Sequence, residues 1–341
     1  MNKRPFPFKP MTVGNILDYS FRVYRDNFVT IMGFSALVSG GFSLLILLLQ
    51  SLAAPSGTMT DPWGLIINGI KSGDFPYFIQ QIPQSEPGPG YFPQSLLFFI
   101  VSYASGLIMH ILVNPFVQGG ITNITARYFH GFSMDLSAAF KQTTNKFGKL
   151  VLTALSLMVY YIGIVIGGVV LLGIIVAVLF ALSAAHVFLD SAGGTAILVV
   201  GVIFVYLIIV GAFFVMFNFV SFTYQTAVCE GKYNFAAIGR SFKLVGKKFW
   251  KVVGVRILMY LLVYAIIGAI GGVAFLIALL SPVDIMFQEV ITLIITALAT
   301  PLIYIATTIL YYDCRIRLEG YDLEVMSQEE ARDDQWQLSQ S

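Results

Sequence analysis

Charge is what this sequence has least of. Only 11% of its 341 residues are Asp, Glu, Lys or Arg, under half the ~25% usual for soluble domains. A soluble domain needs a polar surface, and this chain has too few charges to make one. The net charge of +2 excludes the basic footprint of a nucleic-acid binder. Two cysteines exclude a disulfide framework. Three histidines, His110, His130 and His186, share no metal-ligand spacing. There is no Gly-Lys-Ser/Thr phosphate loop, no Gly-x-Ser-x-Gly elbow and no pair of carboxylates within an apolar run. No cofactor is expected, and the chain reads as a non-enzyme.

What is abundant is apolar residues. They make up 57% of the chain, and the mean hydropathy is +0.82. A helix crossing the ~30 Å hydrocarbon core needs ~20 mostly apolar residues. Six stretches qualify: Val29–Leu52, Ser95–Val117, Leu150–Ala184, Thr195–Tyr224, Val252–Leu280 and Ile285–Tyr312. The expected fold is all-α, a polytopic membrane protein with six transmembrane helices. Gly167-Gly168 in the third stretch marks a candidate break. An extra crossing there would scatter the basic loops, so the stretch counts as one span. Eighteen of the twenty Lys and Arg then fall on one side, and Lys71 alone falls in an opposite loop. The positive-inside rule predicts both termini in the cytosol. Arg256 and Glu289 are the charges inside spans. Both lie near span ends, from which they are expected to snorkel to the interface. The run behind position 29 is too long for a signal peptide and reads as a retained first span. Cys229 and Cys314 fall near cytosolic span ends and are expected to be reduced.

A pattern recurs three times: Leu17-x3-Phe21-Arg22-x5-Phe28, Leu136-x3-Phe140-Lys141-x5-Phe147 and Ile238-x3-Phe242-Lys243-x5-Phe249. Spacings of four and seven put the apolar residue and both aromatics on one helical face. Each copy precedes a span, as an interfacial amphipathic helix would. Each unit ends on a glycine: His130-Gly131-Phe132, Glu230-Gly231-Lys232 and Glu319-Gly320-Tyr321. A glycine there suits a left-handed helix end. Ile166–Val169 and Ile270–Val273 repeat Ile-Gly-Gly-Val, and Pro115 and Pro301 recur in even spans. The expected domain is one integral membrane unit, 1–325, of three parallel repeats at about 12–132, 133–232 and 233–323. Gly163-x3-Gly167 and Gly268-x3-Gly272 are the expected small-residue helix contacts. An outer loop at about 53–94 holds seven of the thirteen prolines. The acidic cytosolic tail, 326–341, is expected to be disordered.

Two segments are more specific. They are Gly14-x-Ile16-Leu17-Asp18-x2-Phe21-Arg22-x-Tyr24-Arg25-x-Asn27-Phe28 and Leu310-Tyr311-Tyr312-Asp313-x-Arg315-x-Arg317-x-Glu319-Gly320-Tyr321-Asp322-Leu323. Together they resemble the bacterial family named for the membrane domain of glycerophosphoryl diester phosphodiesterases. The resemblance spans nearly the whole chain and implies the bacterial cytoplasmic membrane. It does not imply the phosphodiesterase activity, because this chain lacks the soluble catalytic domain that some members carry.

The candidate site residues fall in two sets. Asp18, Arg22 and Arg25 before the first span face Asp313, Arg315, Arg317, Glu319 and Asp322 after the last. Opposite signs in both groups predict a cytosolic staple joining the chain ends, or a docking surface. The second set is intramembrane and polar: His110, Tyr160, Tyr161 and Asn218. Three functions follow in order of preference. The first is a scaffold, or the membrane subunit of a larger assembly with an unidentified protein partner. The second is a binder or transporter of lipid or another amphiphile. The third is an intramembrane hydrolase. Membrane lipids are the expected surroundings in every case, and nucleic acid in none. A sealed bundle would favour the first reading, and a polar groove lined by the second set would favour the second.

Overall fold

The computed structural model describes residues 9–53, 91–184, 192–280 and 285–327. Most of the expected outer loop, most of the tail and His186 lie outside them. Among the described residues the protein is all-α, with no strand. Six helices are long and apolar enough to cross a membrane.

The first helix, α1 (Val13–Asp26), starts on Thr12, whose hydroxyl accepts the Asn15 N–H at 3.2 Å. That satisfies one of the donors a helix start leaves open. It ends at Asn27. The first span follows as α2 (Phe28–Ser35), a π-helical turn (Ala36–Gly40) and α3 (Gly41–Ala53). The second is α4 (Tyr91–Ile108), a π-helical turn (Met109–Val113) and α5 (Asn114–Phe129). The third is α6 (Leu136–Ala184) and the fourth is α7 (Ala192–Phe219), continued after a break by α8 (Thr223–Cys229). Then come α9 (Asn234–Lys247), α10 (Phe249–Leu280) and α11 (Ile285–Glu319). Residues 321–327 are helical again.

The last span is the hub. In its most apolar window 61% of residues are buried, against none in the third and fourth spans. Pro301 explains part of this. Proline has no N–H and frees the carbonyl four residues back. That carbonyl, on Ala297, accepts the Ser35 hydroxyl at 3.3 Å, and the next one, on Leu298, accepts Tyr24 Oη at 2.8 Å. The first span and α1 are thereby fastened to α11.

The three unit-ending glycines, Gly131, Gly231 and Gly320, have φ of 86°, 68° and 63°. These left-handed turns lie at one end of the bundle, here called the basic face. Two copies of the Phe pattern clasp an aromatic of the preceding even span. Phe140 and Phe147 flank Phe116 at 6.1 and 5.4 Å, and Phe242 and Phe249 flank Phe219 at 4.8 and 5.5 Å. The first copy differs: Phe21 and Phe28 are exposed, and α1 buries Ile16, Ser20 and Val23 instead.

Three expectations need correction. The second copy is no separate interfacial helix, because α6 runs unbroken for 49 residues, through Gly167-Gly168 as well. Lys146, at the position where the other copies break, is held from the side by its bond to the Val228 carbonyl at 3.2 Å. The close-contact glycines are also different ones. Side chains at Gly163, Gly167, Gly268 or Gly272 would meet open space. A methyl on Gly120 would run into the Phe34 ring, one on Gly119 would lie 2.6 Å from Leu150, and one on Gly168 2.6 Å from Phe213. At these glycines a bulky side chain from a neighbouring helix lies against the backbone, which spacing alone does not reveal. Third, Arg256 is bound by side chains of neighbouring spans instead of extending freely, as the next section shows; the Glu289 side chain lies outside the described residues.

Candidate functional site

Two polar assemblies are built by this fold. At the basic face, Asp313 is fully buried and collects three donors. They are the Met11 N–H at 2.7 Å, Lys251 Nζ at 2.5 Å and Arg317 Nε at 3.0 Å. Lys251 and Arg317 also donate to the Met11 carbonyl, at 2.8 and 2.7 Å. A separate network gathers the three turns. Glu230 accepts from Arg240 Nε at 2.8 Å, Lys232 at 2.8 Å and Tyr311 Oη at 2.7 Å. Arg240 and Arg315 both reach Glu319. Arg315 also lies 4.1 Å over the Tyr321 ring, and Tyr321 Oη is 2.9 Å from His130 Nε2. Burial opposes ionisation of Glu230, but the bonds from Lys232, Tyr311 and Arg240 outweigh it and hold the carboxyl below its ordinary range.

The predicted staple therefore takes another form. Among the described residues the junction between the two ends runs through the Met11 backbone, Lys251, Asp313 and Arg317. Asp18, Arg22 and Arg25 line a shallow concavity on α1, with Asp18 exposed. Arg25 pairs with Asp26 at 3.2 Å, and Asp26 accepts Tyr128 Oη at 2.5 Å. Arg315 and Glu319 belong to the second network, and Arg317 to the Asp313 site. Asp322 is half-buried beyond the last turn. Backbone partners and Lys251 leave no trace in a charge-counting argument.

The second assembly lies among the spans. A cavity of about 220 Å³ opens between α5, α6, α7, α8, α10 and α11 and the π turn before α5. Three stripes at helical spacing line it: His110, Asn114 and Gln118; Phe217, Ser221 and Tyr224; Tyr304 and Thr307. Arg256, Tyr260 and Tyr161 complete the polar wall. Arg256 Nη1 donates to Asn218 Oδ1 at 3.0 Å and to Ser221 Oγ at 2.6 Å, and Nη2 reaches Tyr260 Oη at 3.3 Å. Its guanidinium also lies 5.5 Å from the Phe217 ring centre. All of these partners are neutral. A neighbouring cavity of about 260 Å³ shares Asn114 and Tyr304 and is lined by Ser35, Ser39, Ser43, Thr296 and Thr300. Both π turns border the cavities, at Ser39 and Gly40 and at Met109 and His110. A π turn interrupts the regular ladder and is frequent at functional sites.

Comparison with protein-family models, curated proteins and solved structures finds no match. The site therefore rests on its own geometry. Of the four intramembrane candidates, His110 and Tyr161 line the chamber and Asn218 binds Arg256. Tyr160 instead donates to the Met216 carbonyl at 3.0 Å, in edge contact with Phe242. Sequence reasoning singled out Arg256 only as a charge near a span end, and it missed Asn114, Gln118, Ser221, Tyr224, Tyr260, Tyr304 and Thr307. The signal was present: His110, Asn114 and Gln118 recur every fourth residue, and Tyr260 stands four after Arg256.

Proposed function

We propose that this integral membrane protein binds an amphiphile in the chamber, holding its polar head among the spans while its chains remain in lipid. One observation carries the reading. A cation and neutral polar side chains from five helices, α5, α6, α8, α10 and α11, converge on one open cavity among the spans. Isolated polar groups in a span are expensive and would otherwise be paired off or turned outward. The reading is of a binder rather than an enzyme, since the lining residues include one imidazole and no carboxylate to work with it. Handling or transfer of lipid follows more readily from it than a scaffold role. The scaffold reading draws on the third and fourth spans, whose apolar windows are wholly unburied within the chain.

The location we propose is the bacterial cytoplasmic membrane, with the basic face in the cytosol. The resemblance to the glycerophosphoryl diester phosphodiesterase membrane-domain family is part of the same proposal. Its second motif segment supplies Asp313 and Arg317 to the Met11 junction and Tyr311, Arg315 and Glu319 to the Glu230 network.

Native mass spectrometry of the protein gently extracted from its membrane tests the function. The expected result is a retained lipid in the unaltered chain that is lost in Asn114→Trp, which fills both cavities. A stoichiometric protein partner without retained lipid would overturn it in favour of the scaffold.

A further inference from the structure

The chamber holds a cation without an anion. Arg256 has four neutral partners: Asn218, Ser221, Tyr260 and the Phe217 face. Among the described residues no carboxylate lies within ion-pair range of it, whereas Arg240, Lys251, Arg315 and Arg317 at the basic face each have one. A guanidinium is always charged and presents five donors. In a low-dielectric setting an uncompensated charge is costly and marks a functional group by default. Arg is also the side chain that recognises phosphate by paired N–H donors. We infer that the headgroup bound in the chamber carries a phosphate, received by Arg256.

The rest of the wall suits a phosphate better than a carboxylate. Tyr161, Tyr224, Tyr260 and Tyr304 offer hydroxyls, and Asn114 and Gln118 offer amides. These donors come from several directions, more than two carboxylate oxygens can use. Ser221 Oγ and Asn218 Oδ1 hold Nη1 from the α7 side. They orient the guanidinium without neutralising it. This inference rests on the amphiphile reading and specifies its ligand.

The test is binding of defined probes to delipidated protein in detergent, read by native mass spectrometry. The probes are dioleoyl phosphatidylglycerol, dioleoylglycerol with the same chains but no phosphate, oleate as a carboxylate, and inorganic phosphate as competitor. Phosphatidylglycerol should bind at least about tenfold more tightly than dioleoylglycerol or oleate, from a charge-assisted contact. Arg256→Gln should abolish that preference, and Arg256→Lys, which keeps the charge but loses the paired donors, should keep only part of it. Monomer retention on size exclusion shows that both variants fold. Displacement of the lipid by inorganic phosphate at comparable concentration would support phosphate recognition and assign a water-borne source. Equal binding of phosphatidylglycerol and dioleoylglycerol, unchanged in Arg256→Gln, would overturn the phosphate while leaving the amphiphile reading standing. A preference for oleate would also overturn it. Failure of every lipid to bind the unaltered chain would overturn both.

Discussion

Removing the Asp313 carboxylate should release α1 from the bundle. Asp313 is fully buried, and Met11 is 1% exposed. Lys251 and Arg317 keep 19% and 30% of their side-chain surface. A hydrogen bond to a charged group contributes about 1.5–3 kcal/mol. Breaking a buried pair by deleting one partner costs about 3–5 kcal/mol. Here the cations are partly hydrated and keep the Met11 carbonyl as an acceptor, so the lower end applies. Asp313→Ala should cost about 3 kcal/mol, and Asp313→Asn, which keeps an acceptor for the Met11 N–H, about half of that. The assay is the midpoint of unfolding in sodium dodecyl sulfate, followed by tryptophan fluorescence, with hydrogen exchange over residues 13–26 as the local readout. Arg317→Glu should be at least as damaging, since it sets a second carboxylate beside Asp313. Asp18→Arg should not rescue it, because Asp18 is exposed on α1 and Arg317 is bound to Asp313 and Met11. A loss under about 1 kcal/mol with α1 still protected from exchange, or rescue by Asp18→Arg, would refute the reasoning.

Other consequences are as direct. Gly120→Ala should cost about 2 kcal/mol by forcing Phe34 to move, while Gly272→Ala, facing open space, should be neutral or stabilising by up to ~1 kcal/mol; the same denaturant titration compares them. The lowered Glu230 carboxyl contributes stability that is full above its unfolded pKa of about 4.3. That stability is lost as the pH falls through the still lower folded value. Glu230→Gln should remove that component of acid loosening from a midpoint-versus-pH curve, and an unchanged curve would count against the network. A cysteine at Lys232, in a background with serine at Cys229 and Cys314, should react with an impermeant thiol reagent in inverted vesicles but not in intact cells. The reverse pattern would place the basic face outside.

The six spans were legible because hydropathy is a one-dimensional property. Length and composition locate them whatever the neighbours are. Their lower boundaries were less so. The third stretch reads as starting at Leu150 because Lys141, Lys146 and Lys149 interrupt the apolar run, yet α6 begins at Leu136. A helix stops for want of hydrogen bonds or from a capping geometry, not at the end of an apolar run, and nothing between Leu136 and Leu150 breaks the ladder. The turn glycines were legible for the opposite reason. A left-handed residue at a helix end is a local demand, and Gly131, Gly231 and Gly320 meet it within their own neighbours. The glycine contacts are tertiary. Gly120 depends on Phe34, 86 residues earlier in the chain.

The chamber shows why a charge in a span resists a linear reading. From the sequence, Arg256 has one obvious way to lower its energy, which is to extend toward the nearer interface. In three dimensions a second way exists. The α7 helix ends just after Asn218, and Ser221 lies in the break before α8, so an amide oxygen and a hydroxyl reach Arg256 on α10, and Tyr260 stands one turn along. Together they hold the guanidinium in place without cancelling its charge. A protein that needed only stability would supply a carboxylate here, as it does for Lys251 with Asp313 on the same helix five residues earlier. The contrast between these two cations on α10, one neutralised by protein and one not, is what distinguishes the structural junction from the proposed binding site.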